Sequence, residues 1–264
     1  MKQKQISIII PTYNCGRKLA ATIESVLSQP KDLYEIIVVD GGSTDETLSV
    51  IEEYAGNLRF VSEADRGVYD ALNKGIGFAT GKYLFFLGAG DRLKEGVLEL
   101  VAGQLPEDEL SFVYGDAYLV RHGLRVCGEF SMKEFMIRNI CHQAIFYERT
   151  IFDVIGVYDL RYKVFADWAF NMKCFADTRV RKIYLDMVVA DFEGWGISDT
   201  QEDAEFYRDL PGLIRKYVGL NEYLRRRIYL SRAAFYGFRH RLAGSVKLAA
   251  TQPSSLLRRQ KSRH

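Results

Sequence analysis

The feature that most constrains this chain is the alternation, over residues 6–91, of short apolar runs with helical patterns. Ile6–Ile10 is a compact apolar run of the kind buried on both faces of a sheet. Arg17–Gln29 then carries Leu19, Ile23, Val26 and Leu27 at helical spacing. Ile36–Val39 reads as the second strand and ends at Asp40, after which Thr44 or Asp45 is placed to cap a helix with inner face Leu48, Ile51 and Tyr54. Leu58–Val61 is the third strand, followed by a polar loop and a helix with Val68, Leu72, Ile76 and Ala79 inward. Tyr83–Leu87 is the fourth and ends at Gly88-Ala89-Gly90-Asp91. Crossover helices set successive strands parallel, so the pattern predicts a doubly wound α/β fold.

The second half is less regular. Phe112–Tyr114, Ala144–Tyr147 and Lys182–Leu185 read as strands and Asp167–Phe175 as a helix. After about Gly212 the pattern turns helical and basic, with Leu213, Tyr217, Leu220 and Leu224 at helical spacing. A catalytic domain over 1–212 and a basic helical extension over 213–264 follow.

Charge sharpens that division. The net charge of +2 conceals 13 Lys/Arg against one acid, Glu222, from Leu213 onward, and 23 basic against 33 acidic residues before it. An acidic body of −10 thus carries a tail of +12. With 48% hydrophobic and 27% charged residues, the composition is that of a folded rather than a disordered chain. Cys15, Cys127, Cys141 and Cys174 form no C-x-x-C pair and read as unrelated core thiols of a reduced, cytoplasmic protein. No signal-peptide pattern and no run approaching the ~20 apolar residues of a membrane span is present.

In open α/β sheets ligands bind outside the carboxyl ends of the strands. The loops at those ends are Pro11–Asn14, Asp40–Ser43, Ser62–Arg66 and Gly88–Asp91. They bring Asp40, Glu63, Asp65 and Asp91 to one crevice, with Arg66 and Lys74 nearby. Carboxylates that face a phosphate-bearing ligand call for a divalent cation between them, because Mg²⁺ or Mn²⁺ takes oxygen ligands from both.

The strings ISIIIPTYN (6–14), EIIVVDGGSTDET (35–47), SEADRGVYDALNKG (62–75) and ATGKYLFFLGAGD (79–91) resemble the nucleotide-sugar half of family 2 glycosyltransferases. The likeness continues through CHQA (141–144), IGVYDLRY (155–162), ADWAF (166–170) and GWGIS (194–198). Each string is weak alone; their order and spacing together are specific. The resemblance implies a GT-A type, Rossmann-like fold, with a mainly parallel sheet flanked by helices. Residues 5–110 would form the nucleotide-sugar half and 111–212 the acceptor half. It also implies an inverting transfer of sugar from a nucleotide-diphosphate donor to an acceptor hydroxyl, in polysaccharide or glycolipid assembly.

The same resemblance assigns candidate sites. Pro11, Tyr13 and Asp40 match the nucleoside pocket, with Asp40 reading a base N–H or, alternatively, capping the Gly41-Gly42 turn. Asp65, Arg66, Asn73 and Lys74 flank the donor diphosphate and base, although salt bridges explain the two cations equally well. Gly88–Asp91 stands in place of a D-x-D-D metal motif and keeps only the last Asp, so Asp91 is the expected Mn²⁺ or Mg²⁺ ligand. Asp167 matches the general base, and it is also placed to cap the helix that follows. His142 is a lone His beside an apolar strand, set where the family touches donor, metal or acceptor. Trp195 and Ser198 match a mobile loop near the donor phosphates. Asp159 reads as structural.

Competing classes lack their signatures. No G-x-G-x-x-G follows a strand, which excludes a dinucleotide-binding oxidoreductase, and Pro11–Arg17 lacks the Gly- and Arg-rich loop of a nucleotidyltransferase. A catalytically inactive nucleotide-sugar binder is the remaining alternative, and retention of Asp91 with Asp167 argues against it. In the tail, Arg225–Arg227, Arg232, Arg239 and Arg241 interleave with Tyr229, Phe235, Tyr236 and Phe238. Such a pattern suits an anionic membrane surface, with a glycan or lipid-linked acceptor, on the inner face of the membrane; the acidic body disfavours nucleic acid.

Overall fold

A computed structural model describes residues 5–107, 109–194, 196 and 200–225 of the chain. Four strands, β1 (Ile6–Thr12), β2 (Tyr34–Asp40), β3 (Arg59–Ser62) and β4 (Tyr83–Phe86), pair in parallel in the order β3-β2-β1-β4. Helices α1 (Gly16–Leu27), α2 (Thr47–Glu53) and α3 (Val68–Phe78) make the crossovers. The order runs outward from β1 in both directions, which opens a crevice at the carboxyl ends.

The sheet continues from β4 through antiparallel pairing with β8 (Ile145–Glu148), which pairs antiparallel with β6 (Ser111–Leu119). Strand β9 (Arg181–Phe192) lies parallel to β6, while the short β5 (Arg92–Leu93) and β7 (Leu124–Val126) pair antiparallel with β9 and β6. The sheet is therefore parallel in its first half and mixed in its second. Helices α4 (Val97–Ala102), α5 (Ile151–Ile155), α6 (Ala166–Ala176) and α7 (Ala204–Leu213) complete the described elements, and α7 passes into a π-helical turn over Ile214–Val218.

β1 is buried along its whole length. Ile6, Ile8 and Ile10 join Leu19, Ile23 and Val26 of α1 in the main core cluster, as the helical spacing required. On the other face α3 is turned from the expected register. It buries Tyr69, Asp70, Ala71, Leu72 and Gly75, while Val68 and Ile76 are half-buried. Gly75 accounts for this: a Cβ there would come within 2.4 Å of Ile9 Cγ2, so only glycine lets the helix lie this close to the sheet. In α2 only Ile51 of the expected face is buried. The helix starts one residue after Glu46, and Asp45 serves it from further out by accepting the Thr47 N–H at 3.0 Å.

Helix α7 runs through position 212, and the first compact unit ends at Leu220. Its buried stripe is Phe206, Leu210 and Ile214; Leu213, expected on the inner face, is half-buried and Leu220 is exposed. The arginines and aromatics from 226 onward, on which the membrane expectation rests, lie outside the described residues. Among the described residues no helix is long and apolar enough to cross a membrane.

Candidate active site

The first two loops are stitched together. Asn14, held in the left-handed region at φ 51°, accepts the Thr44 N–H on its side-chain oxygen at 2.9 Å, and its own N–H donates to Ser43 Oγ at 2.8 Å. This fixes Tyr13, 60% exposed, at the lip of the crevice with its ring free to stack on a ligand. Pro11 is buried in β1, opposite Val39.

Asp40 is held by its own loop. It is fully enclosed, and four donors from the loops occupy its carboxylate: the N–H groups of Gly42 (3.1 Å) and Ser43 (3.0 Å), the Ser43 hydroxyl, and the Ser62 hydroxyl (2.6 Å). Three of these donors fall on Oδ2 and one on Oδ1, so Asp40 builds the loop and keeps one open position on Oδ1. The carboxylate that reaches the same place is Asp65. One of its oxygens accepts the Gly67 N–H at 2.8 Å, and the other is turned over Gly41, where a Cβ would lie only 2.6 Å away.

Of the other flanking residues, Asn73 is engaged with the backbone of Tyr158. Its amide donates to the Tyr158 carbonyl (2.9 Å) and accepts the Tyr158 N–H (3.0 Å), a two-point clamp between α3 and the acceptor half. Arg66 pairs with Asp70 at 3.1 Å, and Lys74 pairs with Glu63 at 2.8 Å while donating to the Ala64 carbonyl. Both cations brace the 62–70 loop, and the Arg66 side chain remains largely exposed at its rim. Asp159 is structural as expected, holding the Arg161 N–H and guanidinium.

The Gly88–Asp91 turn is built around the Asp91 carboxylate. A Cβ at Gly88 would stand 3.0 Å from Asp91 Oδ2, so Asp91 fills the space that a side chain at 88 would take. Thr22 fixes the turn by donating to the Asp91 carbonyl and accepting the Gly90 N–H, each at 2.8 Å. Burial pushes the Asp91 carboxyl up to about 7, with the Glu193 N–H and Lys18 partly offsetting it and the Glu193 charge adding to it. An enclosed carboxylate beside a second acid gains from a hard cation, and its oxygen suits Mg²⁺ or Mn²⁺. Among the described residues no cluster of three or more His, Cys, Asp or Glu surrounds it, so the remaining ligands would come from phosphate and water.

Asp167 lies at the second residue of α6; the cap position is Phe165, which excludes the capping role. Its Oδ1 accepts the Tyr69 hydroxyl (2.7 Å) and the Trp168 N–H (2.8 Å), and its Oδ2 accepts the Asn139 amide (2.8 Å). Burial raises its pKa above the ordinary carboxylate range, opposed by the His142 charge and by the Tyr69 bond. His142 occupies a 3₁₀ turn (His142–Ala144) near Asp167, and burial lowers its pKa, opposed by the Asp167 charge. The approach to Asp167 is set by Asp203, whose buried carboxylate accepts the N–H groups of Val164 (2.8 Å) and Phe165 (3.1 Å) and caps α7 through the Phe206 N–H.

Two of the four cysteines are neighbours rather than unrelated core thiols: the Cys141 N–H donates to Cys127 Sγ at 3.3 Å. Trp195 and Ser198 lie outside the described residues, although Glu193 and Gly194 (φ 78°) place the entry to their loop beside Asp91.

A parallel nucleotide-type half whose loop ends meet a buried carboxylate from an attached mixed-sheet half is the architecture of a GT-A type glycosyltransferase. The profile of Glycosyl transferase family 2 matches residues 7–165, and the chain belongs to that family. It is 44% identical to a PGL/p-HBAD biosynthesis glycosyltransferase of Mycobacterium bovis over 235 residues, 86% of this chain and 92% of that protein. Among solved structures it is similar to S. aureus TarS 1–349 in complex with UDP-GlcNAc (TM-score 0.66, 20% identity, 81% of this chain and 67% of that one). It spans 40% of the longer TarS chain. The mannosyltransferase PcManGT from Pyrobaculum calidifontis, in complex with GDP-Man and Mn²⁺, superposes with a TM-score of 0.58 at 20% identity, over 87% of this chain and 65% of that one.

Proposed function

We propose that the chain is an inverting transferase that moves a sugar from a nucleoside-diphosphate donor to an acceptor hydroxyl, with Asp167 as general base. The observation that carries this reading is the hydrogen-bonding of Asp167: three donors leave one lone pair, on Oδ2, to take a proton. The acceptor oxygen bonds to the sugar carbon as the bond from that carbon to the diphosphate breaks, and the acceptor's proton passes to Asp167. Tyr13 stacks on the base and Asp65 accepts from its edge. Asp91 would hold a divalent cation, whose chemistry is to neutralise charge building on the leaving diphosphate. The Mn²⁺ bound by the similar mannosyltransferase supports this role. Hydrolysis of UDP-glucose, UDP-GlcNAc and GDP-mannose, each with Mn²⁺ and with EDTA, tests the reading. One donor should turn over, faster with Mn²⁺; no turnover of any nucleotide sugar with any acceptor would refute it.

We further infer peripheral attachment to the inner face of the membrane, supported by the +12 carried by residues 213–264 and by a relative named for PGL/p-HBAD biosynthesis. Each Lys or Arg near an anionic surface contributes about 1 kcal/mol, which favours a glycan or lipid-linked acceptor. The full chain should sediment with anionic vesicles and release in high salt, whereas a chain ending at Gly219 should stay in the supernatant. Equal behaviour of the two removes the tail from the mechanism.

A further inference from the structure

The environment of Asp167 contains more than a base needs for contact with its acceptor. Tyr69 projects from α3, on the nucleotide-sugar side, and its hydroxyl lies 2.7 Å from two acceptors, Asp167 Oδ1 and the Val164 carbonyl. A hydroxyl has one proton. That proton serves Asp167 when the carboxylate is charged, because a charge-assisted bond is the stronger of the two. Once Oδ2 has been protonated, Val164 becomes the competing seat.

A second arm reaches Oδ2. The Tyr147 hydroxyl donates to Asn171 Oδ1 (2.8 Å), Asn171 Nδ2 donates to Asn139 Oδ1 (3.0 Å), and Asn139 Nδ2 donates to Asp167 (2.8 Å). The direction of this chain is fixed at its end, since an ionised carboxylate can only accept. Each amide is thereby forced to turn its N–H forward, and Asn139 is held as a donor toward Asp167. Asn171 is fully buried and one helical turn beyond Asp167 on α6, and Asn139 is half-buried.

We propose that Tyr69 and Asn139 are positioning residues for the base: together they keep a buried Asp167 ionised and leave one Oδ2 lone pair as its single open site. The inference rests on the reading of Asp167 as the base. The titratable groups facing Asp167 are Tyr69 from α3, His142 and Cys141 from the 3₁₀ segment, Tyr147 from β8 and Tyr158 from the loop after α5. Among these, Tyr69 hydrogen-bonds to the carboxylate directly, and His142 acts on it through charge. Removing a donor from the charged form disfavours that form, so losing either arm makes Asp167 harder to ionise.

The test uses the full chain and the Tyr69→Phe variant, with Asn139→Ser as a second, independent removal should the first fail to fold. Two readouts are taken: the pH profile of kcat with the donor identified among UDP-glucose, UDP-GlcNAc and GDP-mannose, and the ¹³C titration of the Asp167 carboxyl in aspartate-labelled protein, assigned by its loss in Asp167→Asn. The acidic limb and the carbon midpoint should rise together by about one pH unit in each variant, with kcat recovering at high pH and UDP affinity by calorimetry unchanged. A loss of kcat at every pH with an unmoved limb would overturn the proposal, since packing damage alone produces that pattern. So would an unmoved midpoint. If Asp167→Asn transfers normally while both midpoints move, the base assignment fails and the hydrogen-bond coupling stands.

Discussion

Replacing Asp167 by Asn should lower transfer by on the order of 10²–10⁴-fold, the usual loss for a missing general base, while leaving UDP binding within about twofold. The amide keeps the shape, and its oxygen can still accept from Tyr69 and Trp168 while the bond from Asn139 is lost, so α6 should hold its place. What it cannot do is take a proton at Oδ2. The pH profile sharpens the expectation. Burial raises the Asp167 carboxyl above its ordinary range, and only the ionised form accepts a proton, so wild-type transfer should fall as pH drops through that raised value and be complete above it. In Asp167→Asn the limb should vanish with the activity. Near wild-type turnover by the variant, measured as nucleoside diphosphate released, would exclude Asp167 as the base.

The parts of the fold that were legible in the sequence are those specified by local pattern. β1, β2, β4 and α1 are apolar runs or a 3.6-residue stripe, and the structure places them within a residue or two of their expected ends. β6 and β9 extend far beyond the expected segments because their polar positions break the alternation. Those positions are satisfied in space: Asp116 accepts from Arg125 and from Tyr184, and Asp191 pairs with Lys94. Periodicity cannot register a buried acid whose partner is on another strand. β5 has two residues and no pattern to read.

The site divides along the same line. The places of Asp91, in the turn after β4, and of Asp167, at the start of α6, were legible because a motif in sequence fixes each. Asp40 is ambiguous in sequence because an acid at a strand end serves equally well to read a base or to build a loop; the Ser62 hydroxyl it accepts is 22 residues away. Asn73, Tyr69 and Asn139 find their partners 85, 98 and 28 residues away. Tyr69 carries a signal only in retrospect, as an aromatic with a polar tip on the buried face of α3, where a hydroxyl needs a partner. The proximity of Cys127 to Cys141 likewise depends on the turn that brings residues 127 and 141 together, which no spacing rule encodes.

The Asp91→Asn variant should lose Mn²⁺ stimulation and weaken metal-assisted UDP binding by about 10²-fold, at or beyond the upper end of the 10–100-fold that even indirect partners of a metal contribute. The asparagine fills the same space against Gly88 and leaves the Thr22 bonds to the backbone intact, so the turn is preserved. It lacks the negative charge that a divalent cation needs from the protein when phosphate and water supply the other ligands. The folded state offers an internal control. Burial works against the charge on Asp91, pushing it up to about 7, with the Glu193 charge adding to the effect. A neutral isostere removes that cost, so in EDTA the variant should melt no lower than the wild type. Calorimetry of UDP binding, with Mn²⁺ and with EDTA, then separates the alternatives. If the variant matches the wild type in EDTA and gains nothing from Mn²⁺, Asp91 is the metal-holding carboxylate. If Mn²⁺ strengthens UDP binding equally in both proteins, the cation is held elsewhere and the Gly88–Asp91 turn only shapes the crevice.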